Sequence, residues 1–257
     1  MNYDIELAVS PEKIIADGAS TSLVTVTFTN SDSKDIGNVS VTLTTTKGKL
    51  SYGGEFKDEI KVFTNDAGVA TVTLQSSTTA GDAEIKATNP KAASGYKTVE
   101  FLSGAANSFE LAVDDIFRED ELDVEISNAL DENDNLLNGT YTGTITISNS
   151  GDIYTNTFSS TEIVDGKYTY TITNLTDIPG SYTAKVTIDD HTEEVDFEIL
   201  QPVVQFAFNE TIAEEPGEAF SFSQGESIVV SLETISVGTS SFTIKGELTG
   251  PVSKTIN

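Results

Sequence analysis

Residues 64–74 read Thr64-Asn65-Asp66-Ala67-Gly68-Val69-Ala70-Thr71-Val72-Thr73-Leu74 and join a turn signal to a strand signal. The Asp-Ala-Gly triplet at 66–68 is typical of a tight turn, because Asp and Gly tolerate the backbone angles that turns require. After it, apolar side chains recur at every second position, which places them on one face of an extended chain. The stretch therefore predicts a turn followed by a half-buried β-strand.

The same two-residue period marks most of the chain. In residues 23–28, Val24, Val26 and Phe28 fall on one face, and the threonines lie mostly on the other. Similar alternation occurs at 39–43, 144–147 and 168–172, with Gly-containing turn signals between the runs. Signals for helices are nearly absent. The sequence therefore predicts an all-β fold.

An internal repeat sets the predicted domain plan. Residues 6–9, Glu-Leu-Ala-Val, recur letter for letter at 110–113, the turn at 66–68 matches Asp165-Gly166, and Gly81 matches Gly180. A repeat of about 100 residues built from short strands is typical of one immunoglobulin-like β-sandwich per repeat. We therefore expect tandem immunoglobulin-like β-sandwiches at 1–103 and 107–200, joined by the small-residue linker 103–107. Residues 201–257 are expected to form a short, incomplete β unit.

Composition excludes several functions. The 257 residues carry 14 basic and 41 acidic side chains, for a formal net charge of −27, which repels polyphosphate and disfavours a nucleic-acid partner. The chain has no Cys and one His, so thiol chemistry and His-based catalysis or metal binding are not expected. No run of about 18 apolar residues occurs, so we expect no membrane insertion.

The charge is spread unevenly over the three predicted units. The first has 9 basic and 13 acidic residues, the second 3 and 21, and the last 2 and 7. The second unit is therefore strongly acidic and carries most of the negative field.

The chain begins without the basic and apolar segments of a secretory signal, and Met1 runs almost directly into strand-like sequence. Two interpretations stay open: a product that is not exported by a cleaved signal, which the start favours modestly, and a trimmed piece of a longer exported protein.

Residues 131–135, Asp-Glu-Asn-Asp-Asn, are the strongest candidate for a binding site. Calcium prefers several oxygen ligands within a short loop. Four side chains of this loop could supply them: Asp131, Asn133, Asp134 and Asn135. No other cofactor is expected.

Two comparisons weaken the calcium hypothesis. The loop opens like an EF-hand, but Leu136 stands where the turn glycine belongs and Thr142 where the bidentate glutamate belongs. It also resembles the linker of cadherins, but it lies inside the second predicted domain rather than at a domain boundary. An ordinary solvated loop and a calcium site are the two alternatives.

Other candidate groups favour ordinary structural roles. Five tyrosines of the second unit form a potential ligand platform, although Tyr168 and Tyr170 share a face with Ile172, which favours core packing. The five are Tyr141, Tyr154, Tyr168, Tyr170 and Tyr182. His191 is expected to be exposed in an acidic hairpin. The acidic runs at 114–115, 118–123 and 189–194 are expected to be solvated strand edges and loops.

The first unit resembles the bacterial immunoglobulin-like repeats of the intimin and invasin type. The resemblance lies in Ala16-Asp17-Gly18-Ala19-Ser20 leading into residues 24–27, in 39–51, in 64–74, and in Ala80-Gly81-Asp82-Ala83-Glu84-Ile85-Lys86-Ala87. The second unit keeps the order of these turn and strand signals but differs in the residues that form them. The resemblance implies a rigid spacer or an adhesive module with no catalytic residues, a fold that is also present in virion proteins of tailed phages.

Three hypotheses follow, none of them catalytic. The first is a structural display protein, an auxiliary capsid or decoration protein on the virion surface of a tailed bacteriophage. The alternative is an ectodomain fragment of a bacterial cell-surface adhesin of the intimin/invasin type, located outside the cell. The third, a carbohydrate-binding accessory module, rests on the tyrosines alone.

Two classes of partner are expected. An incomplete sandwich leaves unpaired strand edges, so residues 201–257 are expected to dock onto protein partners in a larger assembly or onto the second domain. Apolar strands at 205–208, 220–222, 228–230 and 242–244 would supply the contact. A host-surface glycan or protein is the other expected class.

Overall fold

The computed structural model describes residues 3–31, 36–117, 120–150, 152–173, 175, 178–200, 204–208, 211–212, 230–234, 246–248 and 254–256. Within these ranges all regular secondary structure is β-strand, which confirms the predicted all-β class. None of the described residues forms a helix long and apolar enough to span a bilayer.

Nine strands build the first sandwich. They are β1 (Tyr3–Ser10), β2 (Lys13–Ile15), β3 (Thr21–Asn30), β4 (Ser40–Thr45), β5 (Lys49–Ser51), β6 (Glu59–Phe63), β7 (Val69–Gln75), β8 (Gly81–Asn89) and β9 (Ala92–Leu102). Hydrogen bonding follows the order β5-β7-β3-β1-β9-β8-β4-β6, with β2 beside β9. Because β1 and β9 pair only at Tyr3 and Ala92, this path divides there into two layers, β5-β7-β3-β1 and β2-β9-β8-β4-β6.

The core of the first sandwich lies between these layers. Val24, Val26 and Phe28 of β3 are fully buried, as their alternation predicts, and they pack in one cluster with Leu43 of β4 and Ile85 of β8. Hydrophobic burial on the inner face of both layers thus follows directly from the two-residue period.

The turn before β7 is held by side chains of residues 64–68. The Thr64 hydroxyl is buried, donates to the Ile36 carbonyl at 2.6 Å and accepts from the Val39 N–H at 2.9 Å. Asn65 Oδ1 accepts the N–H groups of Ala67 and Val69, both at 3.0 Å. Gly68 has a φ of 81°, so the predicted turn forms with its glycine in the left-handed region.

Eight strands build the second sandwich. They are β10 (Ser108–Val113), β11 (Ile116–Phe117), β12 (Leu122–Leu130), β13 (Gly139–Ser148), β14 (Asp152–Ile163), β15 (Tyr168–Ile172), β16 (Gly180–Ile188) and β17 (His191–Leu200). They form two sheets, β10-β12-β15 and β11-β17-β16-β13-β14, around a separate core.

The two sandwiches share one topology. In each sandwich, the first strand lies in one sheet and the second strand lies in the other. There the second strand pairs in parallel with the last strand of the sandwich: β2 with β9, and β11 with β17. The three sequence matches fall at equivalent places: the first strand, the turn before β7 or β15, and the glycine that opens β8 or β16. Strand β5 has no counterpart among the described residues of the second sandwich. The limits 1–103, 107–200 and 201–257 remain our proposal for the domains.

Five short strands are described after residue 200. Strands β18 (Val204–Phe208), β19 (Thr211–Ile212) and β20 (Val230–Thr234) form a three-stranded sheet, and β21 (Gly246–Leu248) pairs with β22 (Lys254–Ile256). The expected apolar strands at 220–222 and 242–244 lie outside the described residues, and so do residues 228–229 of the strand expected at 228–230. The docking of this unit stays a prediction.

Candidate functional site: the junction between the sandwiches

The predicted calcium loop lies at the junction of the two sandwiches. Residues 131–135 connect β12 to β13, and their side chains contact Ala16, Thr78 and Ala80 of the first sandwich. Our expectation that the loop lies away from a domain boundary is therefore wrong. The loop is internal to the second sandwich in sequence, but the fold places the β12–β13 connection at the end that faces the first sandwich.

Asp131 organises the loop from a buried position. Its side chain is 1% exposed, and its Oδ1 accepts the N–H groups of Asn133 and Asn135, each at 2.9 Å. Its Oδ2 accepts the N–H of Gly104, in the linker, at 2.8 Å. One carboxylate therefore accepts partly buried backbone N–H groups of both the loop and the linker.

The hydrogen bonds keep this carboxylate ionised. Burial alone would raise the pKa of Asp131, because it disfavours the charged form. The N–H of Gly104, the side-chain amide of Asn135 and the N–H groups of Asn135 and Asn133 outweigh burial, so the pKa is lowered overall. A charged acceptor makes each of these bonds stronger than a bond between neutral groups.

Asn135 connects the loop to the first sandwich. Its Oδ1 accepts the N–H of Ala80 at 2.8 Å, and its Nδ2 donates to the carbonyl of Thr78 at 2.9 Å. The same Nδ2 lies 3.0 Å from Asp131 Oδ2, which fixes the amide in this orientation. Asn133 adds a longer bond, 3.4 Å, from Nδ2 to the carbonyl of Ala16. Backbone groups between β7 and β8 are thus paired across the junction.

The linker is held on its other side by Tyr141 and Asp189. The Tyr141 hydroxyl is 2.8 Å from Ser103 Oγ, which also accepts the N–H of Asn138 at 2.9 Å. Asp189 Oδ2 accepts the N–H of Ala106 at 3.1 Å. Burial raises the pKa of Tyr141, and the negative charges of Asp189 and Asp131 add to the rise, so the hydroxyl stays protonated. The linker is therefore hydrogen-bonded to the second sandwich at Ser103, Gly104 and Ala106.

Replacing Asn135 with alanine is expected to widen the range of angles between the sandwiches. The change removes both bonds to the first sandwich, each worth about 0.5–1.5 kcal/mol. Because the chain has no cysteine, spin labels on Ala93→Cys and Glu125→Cys report the distance between the sandwiches. Asn135→Ala should broaden that distance distribution.

Asn89→Ala is the matched control for this measurement. Asn89 also bonds backbone groups through both ends of its amide, to the Ser40 carbonyl and the Lys91 N–H, but it lies within the first sandwich. An Asn135→Ala distribution as narrow as that of Asn89→Ala would show that the amide does not hold the junction.

The calcium site stays a prediction. Asp131, Asn133 and Asn135 are brought together by the loop, but the described contacts use them as hydrogen-bond partners, and the side chain of Asp134 is exposed. Within the described residues, no group of three or more His, Cys, Asp or Glu side chains is placed to hold a metal ion. A calcium titration of the melting temperature tests this prediction.

The tyrosines are built into the second core. Tyr141 and Tyr182 are buried, and Tyr168 and Tyr170 pack against the core on the same face as Ile172, as their alternation predicts. The hydroxyl oxygens of Tyr154 and Tyr170 are 2.9 Å apart. Burial, with the neighbouring Tyr170 hydroxyl, raises the pKa of Tyr154 to about 12. These contacts favour packing over a ligand platform.

His191 is less exposed than its sequence indicates. Its ring meets Phe109 of β10 edge to face, with 5.3 Å between the ring centroids, and its Nε2 is 2.9 Å from Glu193 Oε1. The expectation of an exposed histidine was wrong because Phe109, 82 residues earlier, covers one side of the ring.

A comparison with protein families finds a match to the first sandwich. The family model described as invasin, domain 3, matches residues 3–104. No curated protein sequence matches the chain at a significant level.

Several solved structures are similar to this chain. InvD of Yersinia pseudotuberculosis aligns over 80% of this chain and 62% of its own, at 18% identity and a TM-score of 0.54. The Escherichia coli adhesin FdeC aligns over 77% and 64% at 15% identity and a TM-score of 0.49. Invasin, described as a bacterial integrin-binding protein, aligns over 79% and 42% at 20% identity and a TM-score of 0.36. The chain thus spans less than two thirds of each of these structures.

At such identities the InvD alignment establishes fold alone, and the other two alignments carry no argument. The family model covers 102 of the 257 residues, all within the first sandwich and the start of the linker. Residues 3–104 therefore match the family model of invasin domain 3, in agreement with their resemblance to the immunoglobulin-like repeats of the intimin and invasin type.

Proposed function

We propose that the chain is a display segment of a bacterial cell-surface adhesin, with a mechanical rather than a chemical role. The observation that carries this proposal is the match of residues 3–104 to an invasin domain, because such domains are structural parts of bacterial surface adhesins. The family match and the fold support this hypothesis better than the hypothesis of a phage decoration protein, which no finding supports.

The junction supports a role as a rigid spacer. A spacer transmits position and force only if consecutive domains keep a fixed relative orientation. Domains that are joined only by a free linker are expected to move relative to each other. Here Asp131 and Asn135 bind the linker and the neighbouring loop, through bonds of 2.8–2.9 Å to Gly104, Ala80 and Thr78. Two sandwiches held in this way would carry a binding surface away from the cell.

The acidic second sandwich fits an exposed, non-aggregating surface. A large net charge of one sign keeps a protein soluble and resists nonspecific association. The outer face of β17 carries Glu194, Asp196 and Glu198, all exposed, and only Glu194 has a lysine partner, Lys185 at 2.7 Å, among the described residues. We further propose that residues 201–257 dock onto a protein partner and that the adhesin meets a host-surface protein.

Immunogold labelling of intact cells tests the location. Antibodies against the purified chain should label the outer surface of bacteria that carry the gene, and cells with the gene deleted are the control. Labelling confined to phage particles or to the cell interior would contradict the proposal and favour the decoration protein.

A further inference from the structure

The outer face of the sheet β9-β8-β4-β6 carries two lysines without a carboxylate partner among the described residues. Four of the eight described lysines of the first sandwich are paired with a carboxylate: Lys13 with Glu100, Lys49 with Asp58, Lys57 with Glu55 and Lys97 with Glu12. Lys61 and Lys86 make no ion pair with any residue that the structure describes. Their positive charge is therefore available to an outside ligand.

Each of these lysines lies over an exposed aromatic ring. Lys61 Nζ is 5.9 Å from the centroid of Phe63, and Lys86 Nζ is 5.6 Å from the centroid of Tyr96. Phe63 is 51% exposed and Tyr96 is 54% exposed. Cation–π contact orients each ammonium group but leaves most of its charge unneutralised. Each pair thus combines an apolar ring with an oriented cation.

The strand register arranges the two pairs as one diagonal stripe. Thr42 pairs with Lys61 on β6, and Thr44 pairs with Lys86 on β8, which in turn pairs with Tyr96 on β9. We call this the lysine stripe, and it consists of Phe63, Lys61, Thr42, Thr44, Lys86 and Tyr96. From the spacing of strands and residues in a sheet, its two rings are about 20 Å apart. The acidic residues Glu59 and Glu84 lie along one side of it.

The geometry and charge of the stripe favour one kind of ligand. The surface is the outer face of a sheet, without the walls that enclose a small molecule, and its two cations are about 12 Å apart by the same spacing. Nine of the 14 basic residues of the chain lie in residues 1–103, so this sandwich repels an anion least. An extended polymer with repeated negative charges can reach both cations at once.

We propose that the lysine stripe binds an extended acidic polysaccharide. Carboxylate or sulfate groups of the polymer contact Lys61 and Lys86, the C–H faces of its sugar rings pack on Phe63 and Tyr96, and the hydroxyls of Thr42 and Thr44 offer hydrogen bonds between them. This inference goes beyond the display role and does not depend on it.

Binding of a heparin fragment to the full chain tests the proposal, measured by calorimetry at several salt concentrations. Lys61→Gln/Lys86→Gln should weaken binding about tenfold and reduce the slope of log affinity against log salt by about 1.5, as expected for two lost ionic contacts. Lys49→Gln/Lys57→Gln is the matched control, because it removes the same charge from lysines that already have carboxylate partners. The control should stay within about twofold of the wild type.

Two variants at exposed tyrosines separate the contribution of ring stacking to binding from the contribution of charge. Tyr96→Ser should weaken heparin binding about fivefold. Tyr52→Ser is the control, because Tyr52 is 57% exposed but lies away from the stripe, and this variant should bind heparin as the wild type does. Unchanged melting temperatures show that the variants are folded.

Four results of the binding experiments would overturn the proposal. They are no binding of heparin by the wild type, equal losses in the lysine variant and its control, equal binding of neutral dextran, and equal binding of sialyllactose, which carries one terminal acid. Self-association of the chain that Lys61→Gln/Lys86→Gln abolishes would assign the stripe to the acidic sandwich of a second copy instead.

Discussion

Replacing Asp131 with alanine is expected to lower the free energy of unfolding of the second sandwich by about 3 kcal/mol. The change leaves the N–H groups of Gly104, Asn133 and Asn135 without the acceptor that they share. Because these N–H groups are partly buried, leaving them without an acceptor costs more than an average hydrogen bond contributes, since their desolvation is no longer offset. Urea unfolding of the full chain, followed by tyrosine fluorescence, measures the loss.

The same variant should also loosen the junction. Asp131 orients the Asn135 amide and binds the linker, so its loss is expected to broaden the distance distribution between the labelled sandwiches at least as much as Asn135→Ala does. Glu132→Ala, at an exposed acidic residue of the same loop, is the control. Equal effects of Asp131→Ala and Glu132→Ala would contradict the role of Asp131.

The contribution of Asp131 depends on pH in a defined direction. Its pKa is lower in the folded protein than the ordinary value of 3.8, so folding favours the ionised form. The stabilisation is therefore fully present above about pH 3.8 and is lost as the pH falls through the lower folded pKa. The stability difference between the wild type and Asp131→Asn should accordingly shrink only in strong acid.

Replacing Gly68 with alanine is expected to lower the free energy of unfolding of the first sandwich by about 3 kcal/mol. Gly68 has a φ of 81°, where a Cβ atom is strained, and a Cβ there would lie 2.3 Å from the carbonyl oxygen of Phe28. That oxygen belongs to the backbone of β3, the strand beside β7, so it cannot move aside without disturbing the pairing of these strands.

Gly54→Ala is the matched control for Gly68→Ala. Gly54 follows β5 and lies outside the left-handed region, and a Cβ atom added to it would have open space for 4 Å around it. Its replacement should change the urea midpoint little. A loss of stability at Gly68 no greater than at Gly54 would show that the turn adapts to a side chain.

Much of the fold could be predicted because it depends on local pattern. Alternation at 23–28 and 69–74 predicted strands whose inner residues are buried, and the repeated Glu-Leu-Ala-Val tetrapeptide predicted the equivalent strands β1 and β10. The transfer of the chain between sheets after β1 and the extra strand β5 could not be predicted. Both depend on which strands become neighbours, and the two-residue period does not encode that choice.

The candidate site shows the same division. The sequence indicated that residues 131–135 are rich in oxygen and amide groups, and it suggested a metal ligand set. Nothing in it indicated that Asn135 would meet Thr78 and Ala80, because those partners act through backbone N–H and carbonyl groups that every residue except proline possesses. A sequence signal could have come only from Asp131, as a carboxylate directly after an apolar strand.

For this protein, the sequence by itself determined the strand class, the repeat and the invasin-type character of the first sandwich, since each depends on residues close together in the chain. Only the tertiary structure decided that an internal loop forms the junction and that two lysines without ion-pair partners among the described residues share one face with two exposed rings. These features arise from contacts between residues about 20 to 120 positions apart, which exist only after the strands have paired.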